Sequence, residues 1–192
     1  MAGTKRVGVL ALQGDFEAHK QALARAGAEA VEVRTAAQLD GVDGLILPGG
    51  ESTTMLKLLD EERLFEPLQR FGRDRPIFGT CAGAILLAAE VLNPAQKSLG
   101  LVDITVERNA YGRQLDSRIV RLPLGKLQNG DRDFEAVFIR APIIRRTGPN
   151  VSGITFYRDT PVLVEEGRHL VATFHPELTV DMRIHRLFVQ RI

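Results

Sequence analysis

In the first half of this chain short apolar runs alternate with stretches of helical spacing, and no other feature constrains the fold as tightly. Residues 7–12 are aliphatic, end at Gln13-Gly14, and read as a strand buried in a parallel sheet. Asp15 is placed to cap a helix that carries Phe16, Ala22, Leu23 and Ala26 at helical spacing, with Gly27 as its stop. Residues 29–33 alternate apolar and polar, as in a strand nearer the sheet edge, and residues 44–47 form a third, buried strand broken by Pro48-Gly49-Gly50. Helical spacing returns over residues 52–59 and 64–71, Pro76-Ile77-Phe78-Gly79 is a fourth strand, and residues 84–91 are expected to be helical. This alternation predicts a parallel sheet covered by helices on both faces.

After Pro94 the pattern changes. Residues 103–106, 117–122, 136–139, 154–157, 162–165 and 169–174 read as short strands between Gly, Pro and Asn clusters. Glu166-Gly167-Arg168 reads as a hairpin turn, and residues 180–191 as a closing helix. The fold class is therefore α/β: a doubly wound, mostly parallel sheet with added antiparallel strands. No linker, repeat or low-complexity tract divides the 192 residues, so one domain over 1–192 is expected. A chain of this length buries about 70% of its unfolded surface and needs neither disulfide nor metal to fold. Composition (44% hydrophobic, 26% charged) excludes a disordered tail or a disulfide scaffold. Lys+Arg 25 against Asp+Glu 24 leaves no global field favouring nucleic acid or an anionic membrane. The N-terminal apolar run is too short for a signal-peptide core and no stretch approaches a membrane span, so a cytoplasmic setting is expected.

The single cysteine lies in Gly79-Thr80-Cys81-Ala82-Gly83, between the fourth strand and the next helix. A G-x-nucleophile-x-G sequence at such a junction is a nucleophile elbow, here with Cys in place of Ser. The glycines relieve clashes on a tight turn, and the turn sets sulfur at a helix N-terminus, where the dipole and free N–H groups favour negative charge. A lone cysteine is more often a buried core residue; the elbow at a strand end reverses that balance.

A thiolate nucleophile needs a base, and the base needs an orienting acceptor. Of the four histidines, His19 and His185 fall inside expected helices and His169 follows the hairpin turn, positions that favour surface or satisfied-core roles. His175 differs: it opens His175-Pro176-Glu177 directly after an apolar run. Pro176 biases it to extended geometry, where residues two apart face the same side, so Glu177 can approach the ring. Pro48-Gly49-Gly50-Glu51-Ser52, at another strand end, can aim backbone N–H groups at a developing negative charge, although Gly-Gly serves a plain turn equally well. Phosphate-loop and metal-ligand spacings are missing, so neither a metal nor a cofactor is expected.

Together, the elbow and His175-Pro176-Glu177 resemble the class I (triad) glutamine amidotransferases. Four further segments narrow the resemblance: Val9-Leu10-Ala11-Leu12-Gln13-Gly14, Pro48-Gly49-Gly50-Glu51-Ser52, Arg108-Asn109-Ala110-Tyr111-Gly112-Arg113-Gln114 and Phe138-Ile139-Arg140-Ala141-Pro142. They are similar to the family of glutaminase subunits of two-component pyridoxal 5′-phosphate synthases. Relatives serving histidine or purine synthesis carry the triad without the Arg108–Gln114 segment. The resemblance runs from Val7 to Phe188; Val180 and Ile184 depart from it, standing where an acidic and an aromatic residue are expected, which bears on partner contacts rather than catalysis.

The resemblance implies a three-layer sandwich that hydrolyses L-glutamine to glutamate and ammonia and passes the ammonia to a separate synthase in a hetero-oligomer. It implies Cys81 as nucleophile, His175 as base and acid, Glu177 as the group fixing the imidazole tautomer, and backbone N–H groups of Gly50 and Ala82 as oxyanion donors. Gly49, Gly50, Glu51, Arg108, Ile139 and Arg140 would bind glutamine. An acid and an arginine in that set suit a free amino acid, which presents an ammonium and a carboxylate. Other readings stay open on the residues alone: a triad glutaminase for another pathway, a stand-alone cysteine hydrolase, or a non-catalytic regulatory subunit on the same scaffold.

Overall fold

A computed structural model describes residues 3–108, 117–125 and 133–192. Its first half alternates as the sequence dictates: β1 (Arg6–Leu10), α1 (Phe16–Arg25), β2 (Glu29–Val33), β3 (Gly44–Leu47), α2 (Ser52–Glu61), α3 (Phe65–Asp74), β4 (Ile77–Thr80) and α4 (Ala82–Leu87). The second half adds β5 (Ala88–Leu92), β6 (Val102–Glu107), β7 (Ser117–Leu122), β8 (Phe134–Ile139), β9 (Ile143–Thr147), β10 (Val151–Tyr157), β11 (Thr160–Glu166), β12 (His169–Ala172) and α5 (Arg183–Val189).

The central sheet has seven strands in the order β10-β11-β12-β4-β3-β1-β2. From β12 to β2 neighbours run parallel, and β10 and β11 extend the sheet antiparallel. Side-chain alternation splits each inner strand between two cores. Leu45 and Leu47 of β3, with Ile77 of β4, pack among Met55, Leu59 and Leu68 of α2 and α3. Ile46 and Phe78 pack on the other face with Leu23 of α1 and Ile184 and Phe188 of α5. Burying each such side chain stabilises the fold by roughly 1.5–3 kcal/mol. The result is the three-layer α/β sandwich, with β5-β6-β9 and the β7–β8 hairpin as separate small sheets beside it.

Several local expectations need correction. The helix expected over residues 84–91 stops at Leu87; Ala88 turns to extended backbone (φ −59°, ψ 149°) and begins β5, which pairs parallel with β6. The run is apolar almost throughout, so it carries no period to separate helix from strand, and pairing with β6 decides. β9 was not legible because Ile143-Ile144-Arg145-Arg146 does not alternate; its partner β6 holds it in register, with Arg145 on Glu107. Asp15 occupies the N-cap position of α1 but its side chain makes no capping hydrogen bond. The closing helix begins at Arg183, not 180, which leaves Val180 86% exposed on the approach to it, whereas Ile184 is core. Among the described residues no helix is long and apolar enough to cross a membrane.

Candidate active site

Four adjacent parallel strands, β12, β4, β3 and β1, deliver their C-terminal ends to one edge of the sheet, where open α/β sheets bind their ligands. Cys81 follows β4 directly and takes φ +48°, ψ −102°, a strained conformation for a residue with a Cβ. The elbow closes only because its flanks are glycine: a Cβ on Gly79 would stand 2.5 Å from the Gly83 carbonyl oxygen, and one on Gly83 2.0 Å from that of Leu47. Cys81 N–H donates to the Ala172 carbonyl on β12 (2.9 Å), which fixes the turn to the neighbouring strand. Ala82 is the first residue of α4, where N–H groups have no intrahelical acceptor.

His175 follows β12, and its N–H donates to Val137 O of β8 (2.8 Å). The ring is buried, and Nδ1 lies 2.7 Å from Glu177 Oε1 in a turn at Pro176–Leu178. Burial alone disfavours the charged ring, but hydrogen bonding and charge from Cys81 and Glu177 outweigh it and push the His175 pKa up to about 10. At neutral pH the ring is therefore favoured as an imidazolium beside the Cys81 sulfur. With Nδ1 committed to Glu177, Nε2 is left for sulfur.

The cleft in front of Cys81 measures about 250 Å³ and is lined by Asp15, Gly50, Glu51, Arg108, Ile139, Arg140 and His175 among others. It is not the largest; a cleft of about 740 Å³ beside Phe156 is lined by neither cysteine nor histidine. Six of the expected site residues thus meet around the thiol, Glu177 stands behind His175, and Gly49 packs so close to that ring that a Cβ would lie 2.3 Å from Cε1. Residues 109–114 of the family segment fall outside the described residues; Arg108 is inside.

Glu51 does more than the sequence indicated. Its carboxylate caps α2, accepting from Thr53 N–H (3.0 Å), Thr54 N–H (2.7 Å) and the Thr54 hydroxyl (2.8 Å). Arg108 reaches the same carboxylate at 3.4 Å and donates to the Thr53 hydroxyl at 2.8 Å. Partial burial pushes the Glu51 pKa up, but the Thr53 and Thr54 hydrogen bonds together outweigh it and lower it to about 2. A depressed carboxylate contributes stability above its unfolded pKa near 4.5 and loses it as pH falls through about 2. We expect Glu51→Gln to lower the unfolding free energy in urea at pH 7, by about 1 kcal/mol if it acts as an ordinary cap, and the gap from the unmodified protein to narrow below pH 4.5. A gap that does not change with pH would remove the charged cap from the account.

Residues that sequence reasoning passed over also stand here. Asp15 Oδ2 lies 3.7 Å from His175 Nδ1. Gln13 Oε1 accepts from Glu51 N–H (3.3 Å). Asp15, His175 and Glu177 are the one group of ligand-type atoms near enough to hold a cation among the described residues, and two of those atoms already share the His175–Glu177 hydrogen bond. His19 and His185 are fully buried behind Glu177. Helical spacing puts His19 on the apolar face of α1 with Ala22 and Leu23, but nothing in the sequence ties it to Glu177 or His185.

A cysteine on a strained elbow, an imidazolium and a buried carboxylate above a mostly parallel three-layer sandwich define the class I, triad type of glutamine amidotransferase. A solved crystal structure of a glutamine amidotransferase superposes with TM-score 0.88 at 48% identity, covering 96% of this chain and 97% of that one. The chain belongs to the SNO glutamine amidotransferase family, whose model matches residues 9–192. Among its relatives, the pyridoxal 5′-phosphate synthase subunit PdxT of Solibacter usitatus is 61% identical over 191 residues, covering 98% of this chain and all of the relative. That of Thermotoga maritima is 50% identical over 190 residues (97% and 99%). The PurLQS structure from Thermotoga maritima, at TM-score 0.68 and 16% identity over 98% of this chain and 99% of that one, shares the fold.

Proposed function

We propose that this chain is the glutaminase subunit of a pyridoxal 5′-phosphate synthase, one amidotransferase domain that hydrolyses L-glutamine and hands ammonia to a separate synthase subunit. The family membership and the relatives' names support the pathway. The observation that carries the chemistry is the His175 ring held between Cys81 and Glu177.

In this reading the Cys81 thiolate attacks the side-chain amide carbon of glutamine and forms an S–C bond, and the carbonyl electrons move onto oxygen. The N–H groups of Gly50 and Ala82 receive that oxyanion. Collapse breaks the C–N bond while His175 gives its Nε2 proton to the departing nitrogen, which leaves as ammonia. His175, now neutral, takes a proton from water; the resulting hydroxide opens the thioester to glutamate and restores the ion pair. Glu177 accepts from Nδ1–H throughout, which keeps Nε2 aimed at sulfur. Gly49, Gly50, Glu51, Arg108, Ile139 and Arg140 hold the amino acid. Arg108, which also holds Glu51 and Thr53, tests recognition: removing it leaves a substrate carboxylate unpaired, a loss of about 2–5 kcal/mol. We expect Arg108→Ala to raise KM for glutamine far more than it lowers kcat; unchanged kinetics would reject the substrate role. Leu178 and Val180, which follow Glu177 in the chain, are exposed, and in this reading they belong to the face that meets the synthase. Measuring glutamine hydrolysis with and without the synthase tests the whole reading, since a stand-alone hydrolase would show no dependence on it.

A further inference from the structure

Behind Glu177 the protein buries two histidines that the hydrolysis does not use. His19 of α1 and His185 of α5 have no solvent exposure. His19 Nδ1 lies 3.0 Å from His185 Nε2, and His19 Nε2 lies 3.1 Å from the Thr80 hydroxyl and 3.4 Å from Glu177 Oε2. Glu177 Oε2 is buried and otherwise without a hydrogen-bond partner, as is His185 Nδ1.

These contacts favour one arrangement of protons, the one that gives the buried carboxylate oxygen a donor. A bare Nε2 lone pair on His19 would face a buried carboxylate oxygen and leave it with no donor, the costliest outcome for such a group. Nε2 therefore carries the proton and shares it between Thr80 Oγ1 and Glu177 Oε2. His19 Nδ1 is then an acceptor, so His185 donates from Nε2 and keeps Nδ1 bare, which matches its lack of a partner. We infer that His19, held in this tautomer by His185, is a positioning residue of the proposed glutaminase site: it fixes the second carboxylate oxygen of Glu177 so that the first stays on His175 Nδ1. Neutrality matters to this role, because a cation here would compete with His175 for the carboxylate's charge. Burial first, then the His185 and His175 charges, hold His19 well below the usual histidine range. Burial and the Arg25 charge bring His185 down to about 4. Asp15 and Cys81 are the other ionisable groups facing His175.

The inference rests on the triad reading but its test needs no glutamine. Cys81 is the sole thiol, so iodoacetamide reports its reactivity unambiguously from pH 5 to 10 on the full chain. A glutamine side chain at position 19 places its amide N–H near the Nε2 site, whereas asparagine reaches only the Nδ1 site. We expect His19→Asn to move the acid limb of the alkylation profile up by about one pH unit, so about tenfold slower reaction on that limb, and His19→Gln to recover most of it. Identical profiles for His19→Asn and the unmodified protein overturn the inference. Should either variant fold poorly, the histidine ¹⁵N–¹H spectrum of the unmodified protein decides: an Nε2–H tautomer at His19 supports it and an Nδ1–H tautomer overturns it. Failure of the glutaminase reading would appear separately, as an absence of glutamate release with synthase and an intact alkylation profile.

Discussion

Cys81→Ala is expected to abolish glutamate release while leaving the synthase, supplied with free ammonium, able to make its product. The thiol is the only one in the chain and stands on the elbow at φ +48° in front of an imidazolium. Without sulfur no thioester forms, and loss of the nucleophile from a triad typically costs on the order of a millionfold in kcat. Alanine is smaller than cysteine and sits on the same backbone, so the scaffold should survive; ammonium-dependent synthesis is the control for that. Glutamine turnover at the normal rate in Cys81→Ala would sink the assignment of the nucleophile.

Gly50→Val is expected to cut kcat by about 100- to 1,000-fold, the usual consequence of losing one oxyanion donor. Gly50 has φ +151°, which side chains rarely adopt, and a Cβ there would lie 1.7 Å from Gln13 Nε2. The Gly49 carbonyl accepts from Asp15 N–H (3.3 Å), so the Gly49–Gly50 peptide has a defined orientation, and turning it over breaks that hydrogen bond. Such a peptide can serve as a gate: one orientation aims the Gly50 N–H at the oxyanion, and the other presents a carbonyl that repels it. Coupling to the synthase makes a gate useful, because a glutaminase working alone wastes glutamine. The isolated chain should accordingly be slow, the synthase should raise kcat more than it lowers KM, and Gly50→Val should remove that stimulation. If the isolated protein already turns over glutamine at the rate of the complex, the gate does not exist and Gly49-Gly50 is a plain turn.

Much of this protein was legible in its sequence, for identifiable reasons. Buried parallel strands must be apolar on both faces, and β1, β3 and β4 announced themselves as short aliphatic runs closed by turn residues. The elbow was readable because its steric demand for glycine is local to five residues; Glu177 does meet His175, but a turn at Pro176–Leu178 brings it there rather than the extended segment expected from Pro176.

What only the tertiary structure decided has a common physical cause: the deciding partner lies far away in sequence. Residues 88–92 became a strand because β6 was there to pair with them. Glu51 turned out to be a helix cap bound by Arg108, 57 positions downstream, and Asp15, read as a cap, makes no capping hydrogen bond and instead lies beside His175. His19 and His185 gained their meaning 166 residues apart, when α1 and α5 packed on the same face of the sheet behind Glu177. A periodic pattern tells which way a side chain faces, and a motif tells what its neighbours in sequence can do. Which donor meets a buried carboxylate oxygen is fixed only once the layers close and water is excluded, because only then does an unmet hydrogen bond carry its full cost.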